Sequence, residues 1–262
     1  MLENTPSETY LDRVSMLDNI VRECIQVSRD YAGIKSPTGR HFYASVLFTT
    51  LCTRGVSISM LVPHSPLYQT TIPHWDYSSI AVLARSILEI RMAFHYICYE
   101  EISSDEWECR WNILNLHDCR SRYLLFKDNP IATKDAKYHK DMMEELRGRL
   151  TSNDYFLSLD RKMQAELLKG KQAYIHKLED IAALVGFERK TYRWAFRLFS
   201  AQVHGLPMAY YRMDSQERGR GVYSDIEESY TTICISLVSL LMVQTRDEMH
   251  SIFKGLKPEA SR

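Results

Sequence analysis

Residues 76–102, DYSSIAVLARSILEIRMAFHYICYEEI, constrain the fold of this chain more than any other stretch. Between Tyr77 and Ile97 the only full charges are Arg85, Glu89 and Arg91. Ile80, Leu83, Ile87, Ile90, Phe94 and Ile97 recur at the three- and four-residue spacing of one helical face. On roughly the opposite face, Arg85 and Glu89 are flanked by Ala81, Val82, Met92, Ala93 and Tyr96. A helix that is apolar on both sides of a charge pair belongs at the centre of a bundle, with the pair enclosed. Asp76 supplies an oxygen for the free N–H groups of its first turn.

Helical periodicity extends over nearly the whole chain, with only 8 prolines and 10 glycines to interrupt it. The pattern predicts an all-α protein, a helical bundle of eight to nine helices. Helices are expected at 8–32, 40–61, 76–102, 104–126, 133–150, 160–169, 174–185, 192–205 and 225–253. Ser103 with Glu106, and Ser224 with Glu227, are capping pairs that open the fourth and last of the longer helices. The 40–61 helix is apolar almost all round and reads as buried. The 133–150 helix is highly charged and reads as a solvated surface element. The last helix is expected to turn Ile226, Tyr230, Ile233, Leu237, Leu240, Leu241 and Gln244 inward. No repeat or linker divides the sequence. It reads as one domain over 1–262, with the more polar residues 127–172 as an appended helical hairpin.

Charge and cysteine usage narrow the function classes. The 33 basic and 33 acidic residues balance, so the whole molecule has no bias toward nucleic acid or membrane, and any such affinity must come from a local patch. The six cysteines show no C-x-x-C pair and read as small core hydrophobes of a reducing compartment. The N-terminus has no basic region followed by an apolar run, and the apolar run near Ile233–Val243 is short for a bilayer. A cytoplasmic protein that does not enter the membrane is expected. No G-x-S-x-G, Walker A, dinucleotide-binding or H-E-x-x-H motif is present, which weighs against hydrolase, NTPase and zincin chemistry.

The stretch Tyr192–Gly205, YRWAFRLFSAQVHG, carries the best chemical signal. On a helix, Arg193, Arg197, Ser200 and His204 fall within roughly a 60° arc, among the apolar side chains of Trp194, Phe196, Leu198, Phe199 and Val203. A histidine can take a proton from a ribose 2′-hydroxyl while an arginine fork holds the phosphate whose charge grows in the transition state. That chemistry needs no metal. The Arg85–Glu89 pair offers Glu89 as a carboxylate partner for Arg197 or His204, able to set the imidazole's tautomer. The loop 206–223 interleaves Arg212, Arg218 and Arg220 with Tyr210, Tyr211 and Tyr223, a mixture suited to phosphates and unpaired bases. His64, His74 and Asp76 lie close together, but no third ligand is spaced to complete a metal site.

Two short patterns bear a resemblance. Ala84-Arg85-Ser86-Ile87-Leu88-Glu89 and Ser200-Ala201-Gln202-Val203-His204-Gly205 resemble the A-R-S-x-x-E and S-x-x-x-H-G motifs of a bacterial helical domain family of unknown function, over roughly 40–250. Arg197 and His204, with six residues between them, are also similar to the R-x(4–6)-H signature of HEPN-domain proteins. That second resemblance implies a HEPN-like core, a homodimer, and a metal-independent endoribonuclease site in toxin–antitoxin or antiphage systems. Arg197 would hold the scissile phosphate and His204 would transfer the proton.

The resulting expectation is an RNA-cleaving or RNA-binding protein with a partner protein from the same operon. Arg197, His204 and Glu89 are its catalytic candidates, with Arg85, Arg193, Ser200, Arg212, Arg218 and Arg220 around the substrate and no cofactor or metal. The other reading is a non-catalytic helical binding or sensor module, in which the same side chains form a structural network.

Overall fold

The structure, a computed structural model, describes residues 5–68, 72–129, 131–205, 207–211 and 218–256. Among these the chain is all-α, with eleven α-helices and one π-helical turn. The helices are α1 (Glu8–Asp30), α2 (Gly39–Leu61), α3 (Tyr77–Phe94), α4 (Ser104–Phe126), α5 (Thr133–Thr151) and α6 (Asp154–Ser158). They continue with α7 (Arg161–Leu167), α8 (Leu178–Leu184), α9 (Arg189–Val203), α10 (Pro207–Tyr210) and α11 (Asp225–Phe253). The two that periodicity did not predict, α6 and α10, span only five and four residues. So short a segment carries no readable period.

Local signals set the helix starts. The Asp76 carboxylate accepts from Ser79 N at 3.2 Å, and the Ser103 and Ser224 hydroxyls accept from the N–H of Glu106 and Glu227. Each satisfies one of the donors that a helix N-terminus leaves unpaired. The central helix departs from expectation at its other end. It does not run on to Ile102 but passes at His95 into a π-helical turn that ends at Tyr99.

The chain divides into two compact units, 1–99 with 182–262, and 100–181. The segment expected to append as a hairpin at 127–172 falls inside the second.

In the first unit α3 packs against α2, α9 and α11, and α11 also packs against α1 and α2. The core is built from Val14, Leu17 and Val21 of α1, Phe48, Leu51 and Ile58 of α2, and Ile80, Ile87, Leu88 and Phe94 of α3. Phe199 of α9 and Ile235, Val238 and Leu241 of α11 complete it. Full burial of each such side chain contributes roughly 1.5–3 kcal/mol. Gly55 lets α2 approach closely: a Cβ there would meet the Met242 side chain at 2.6 Å and Val21 at 3.2 Å.

Two faces differ from the sequence reading. Along α11, Ile226, Tyr230, Ile233, Leu237 and Gln244 are only partly buried and Leu240 is exposed, whereas Leu241 is buried. The buried side instead carries Cys234, Ile235, Val238, Met242 and Met249 together with Glu227, Thr231 and Thr245. This helix is apolar around most of its circumference, and of the polar residues that break its pattern Glu227 and Thr245 sit inside with hydrogen-bond partners. The helix α2 is likewise buried on one side only, with Phe42, Val46 and Met60 exposed. Both α2 and α11 are long and apolar enough to cross a membrane by length and composition, and in each under half of the most apolar stretch is buried, 39 % and 44 %.

The second unit has its own core, in which Cys109, Ile113 and Leu116 of α4 meet Met143, Leu146 and Leu150 of α5, with Phe156 and Leu167. The charged helix α5 is therefore not a wholly solvated element. Its three apolar residues at 143, 146 and 150 form one buried stripe. Arg110, buried to 1 % exposure, is held there by Glu100 and Glu106, each at 2.6 Å. All six cysteines of the chain are buried and free. Burial pushes the Cys109 thiol up to about 12 and raises that of Cys98 as well, so neither is a ready nucleophile.

Candidate functional site

The packing of α3 on α9 places Arg85 against Ser200. Arg85 Nε donates to Ser200 Oγ at 3.2 Å, and Arg85 Nη2 pairs with Glu89 Oε1 at 2.7 Å one turn further along α3. The guanidinium carbon lies over the Phe196 ring, 3.8 Å from its centroid. Three neighbours thus fix the orientation of a cation that is only 9 % exposed. Its remaining terminal nitrogen, Nη1, is buried and has no hydrogen-bond partner. Leaving such a donor unpaired costs on the order of 1–3 kcal/mol, more for a charged group.

A cavity of about 500 Å3 opens beside this guanidinium, with Val82, Phe196 and Val203 as apolar wall and Glu89, Ser200 and His204 as polar groups. His204 is the C-terminal cap of α9, its N–H bonded to Ser200 O at 3.1 Å, and Gly205 follows with φ of 55°. The left-handed backbone at Gly205 ends the helix and leaves the imidazole exposed at the cavity rim. The site therefore gathers a buried cation with a spare donor, a hydroxyl, an imidazole and a half-exposed carboxylate. Such a set suits an anion with an adjacent exchangeable proton.

The residues of the predicted stripe on α9 line two different depressions. Arg193 and Arg197 line a second depression of about 540 Å3 with Lys190, Trp194, Leu198 and Tyr230. At 1.5 Å per residue Arg197 and His204 stand about 10 Å apart along the axis, and they line different cavities. Glu89 engages Arg85, and neither Arg197 nor His204 forms an ion pair or side-chain hydrogen bond among the described residues.

Of the loop arginines, Arg212 lies outside the described residues. Arg220 is exposed, whereas Arg218 is 7 % exposed and fixed. Arg218 Nη1 donates to Tyr77 Oη at 2.9 Å, where Gln202 Nε2 also donates at 2.9 Å. Tyr77 and Tyr230 stack at 4.8 Å beneath it. Burial raises the Tyr77 phenol above its ordinary pKa, with Arg218 opposing the rise. Buried Glu227 accepts from Tyr77 N and Gly219 N, and Trp75 N bonds Gly221 O, so residues 218–221 are fastened to the start of α3. Asp76 serves as a helix cap. Among the described residues no group of three or more His, Cys, Asp or Glu side chains gathers as a metal site would require.

One network escaped the sequence reading. Arg91, 1 % exposed, makes a two-pronged ion pair with Glu248 of α11 at 2.7 and 2.6 Å, and His95 Nδ1 lies 3.6 Å from the same carboxylate. A lone arginine on the core face of an apolar helix was the available signal. Its partner lies 157 residues away.

Comparison with curated proteins and with solved structures returned no match. A family model, however, matches residues 41–220, a span holding both the Arg85–Glu89 pair and the Ser200–His204 end of α9. On that match, the chain belongs to the family of unknown function DUF5677.

Proposed function

We propose that the α3–α9 cavity binds a phosphate of RNA and that the protein is a HEPN-like, metal-independent endoribonuclease or RNA-binding protein of the cytoplasm. The carrying observation is Arg85: a buried guanidinium held by Ser200, Glu89 and Phe196, with Nη1 unpaired, on a side chain that lines the cavity that His204 borders. In this reading Arg85, rather than Arg197, holds the scissile phosphate. His204 takes the 2′-hydroxyl proton, the 2′-O–P bond forms, the P–O5′ bond breaks, and the leaving oxygen takes a proton from water. Lys190, Arg193 and Arg197 with Trp194 guide the adjoining strand by charge and stacking. The half-exposed seam Ile226, Tyr230, Ile233, Leu237 and Leu240 on α11, at four- and three-residue spacing, supports pairing of two copies. Defence against phage or stress, with a partner from the same operon, is the setting this activity fits.

The test is incubation with total RNA in EDTA, followed by analysis of the new ends. Wild type is expected to leave 2′,3′-cyclic phosphates, with activity reduced by roughly 100-fold or more in His204→Ala and in Arg85→Met. Equal cleavage by wild type and His204→Ala would sink the ribonuclease reading.

The second reading, a non-catalytic binding module, is favoured by the separation of Arg197 and His204 into different cavities. It is distinguished by filter binding: RNA retained by His204→Ala and released by Arg85→Met, with no cleavage by any form.

A further inference from the structure

The unit 100–181 contains a cavity of about 540 Å3 that the site on α3 and α9 does not use. Its wall includes Asp105, Trp107, Glu108, Trp111, Asn112 and Asp154. The three carboxylates are exposed, and none has an ion-pair partner among the described residues. Arg149, the cation on this wall, is already engaged by Glu145. Trp107 and Trp111, one helical turn apart on α4, lie with ring centroids 6.0 Å apart and planes 14° from parallel. Asn112 is buried to 8 % exposure, yet its amide makes no hydrogen bond to the described residues, and it lines the cavity.

The chemistry of the wall selects the ligand. Three unpaired carboxylates repel phosphates and other anions. They do not gather closely enough to hold a metal ion, since no group of three ligating side chains forms among the described residues. Negative charge spread along a wall, with flat indoles between, suits positive charges that are likewise spread along an apolar stem. Ammonium groups gain charge-assisted hydrogen bonds from separate carboxylates and attraction from indole faces. Methylene segments cover the rings, and the Asn112 carbonyl accepts from an internal ammonium.

We propose that this cavity is a binding site for a linear aliphatic polyamine, seated between the Asp105, Glu108 and Asp154 carboxylates along the Trp107 and Trp111 rings with Asn112 at its floor.

Titration calorimetry of the full chain with spermidine at low salt tests this. A saturable single-site isotherm is expected, weaker with the shorter diamine putrescine. Glu108→Gln should weaken spermidine by about 10-fold and Glu108→Gln with Asp154→Asn by about 100-fold, the loss of one and two charge-assisted contacts. Asp141→Asn, an exposed carboxylate on α5, should leave the affinity unchanged, and circular dichroism confirms that each variant is folded. The site is overturned by absence of saturation with spermidine, by equal binding of magnesium ion alone, by binding of a neutral disaccharide in its place, or by equal weakening in Asp141→Asn. Because Glu108 is exposed, the single variant keeps the test decisive if the double variant does not fold.

Discussion

Arg91 and Glu248 meet as a closed fork between α3 and α11, with Nη1 on Oε2 at 2.7 Å and Nη2 on Oε1 at 2.6 Å. Six residues earlier on the same helix, the fork of Arg85 is left open, with Nη2 on Glu89 and Nη1 unpaired. Both guanidiniums are buried, but only one has both terminal nitrogens occupied within the described chain. The closed fork joins two core helices, and the open one belongs to a side chain that lines a cavity.

Arg91→Met should leave the largely buried Glu248 carboxylate without its partner and cost about 3–5 kcal/mol, the usual penalty for removing one partner of a buried pair. Replacing both, Arg91→Met with Glu248→Met, should recover much of that loss. Urea unfolding of the two variants measures the difference. Equal stability of single and double variants would show that the fork is not a coupled pair.

Arg85→Met should behave differently. Glu89 is half exposed and returns to water when its partner goes, so the stability change is expected to stay within about 1 kcal/mol. What should disappear is stabilisation by anions. Wild type gains about 2.7 kcal/mol at a ligand concentration 100 times the Kd. Thermal melts across an inorganic phosphate series should rise for wild type and stay flat for the variant.

Tyr77→Phe removes the acceptor shared by Arg218 Nη1 and Gln202 Nε2. Leaving two donors unpaired is expected to cost about 1–3 kcal/mol. RNA retention in a filter assay should not change, because Tyr77 does not line the cavity beside His204. A loss of retention without a loss of stability would place Tyr77 in the binding surface instead.

His41 provides a pH dependence. It lies 2.8 Å from Thr38 Oγ1 and edge-on to Phe253, and burial lowers its pKa below the ordinary 6.5, with nearby Arg40 adding to the effect. The folded state therefore disfavours the protonated ring. The stability due to this group is complete above about pH 6.5 and is lost as pH falls through the lowered value. Melting temperatures between pH 7.5 and 5 should fall less steeply for His41→Asn than for wild type.

How much could be read in advance follows the distance over which each feature is determined. Asp76, Ser103 and Ser224 were legible as caps because the N–H groups they take lie three residues away. The Arg85–Glu89 pair was legible for the same reason, at four residues. Ser200 as the third neighbour of Arg85 was not, since the contact depends on how α9 lies on α3. The α9 stripe was legible as an arc, but not its division between two depressions, because angular position says nothing about which neighbouring elements line each side. Arg218 read as a loop cation because its sequence neighbours are polar, while the side chain that buries it, Tyr77, comes from 141 residues earlier. The inner face of α11 was misjudged because apolar residues surround most of the helix. Buried Glu227 takes the Tyr77 N–H from 150 residues earlier, a partner that sequence spacing does not reveal.

The continuity of the unit 100–181 within a chain whose two flanks build the other unit has a consequence during synthesis. The first three helices leave the ribosome before α9 and α11 exist. At about 5–20 residues per second, the roughly 94 residues between α3 and α9 delay those partners by at least about 5–19 s. Over that interval Phe48, Leu51, Ile87 and Leu88 have no complete core to enter, while the inserted unit can close as soon as Ile181 emerges. Nascent chains stalled between the two events are where a holding chaperone should be found.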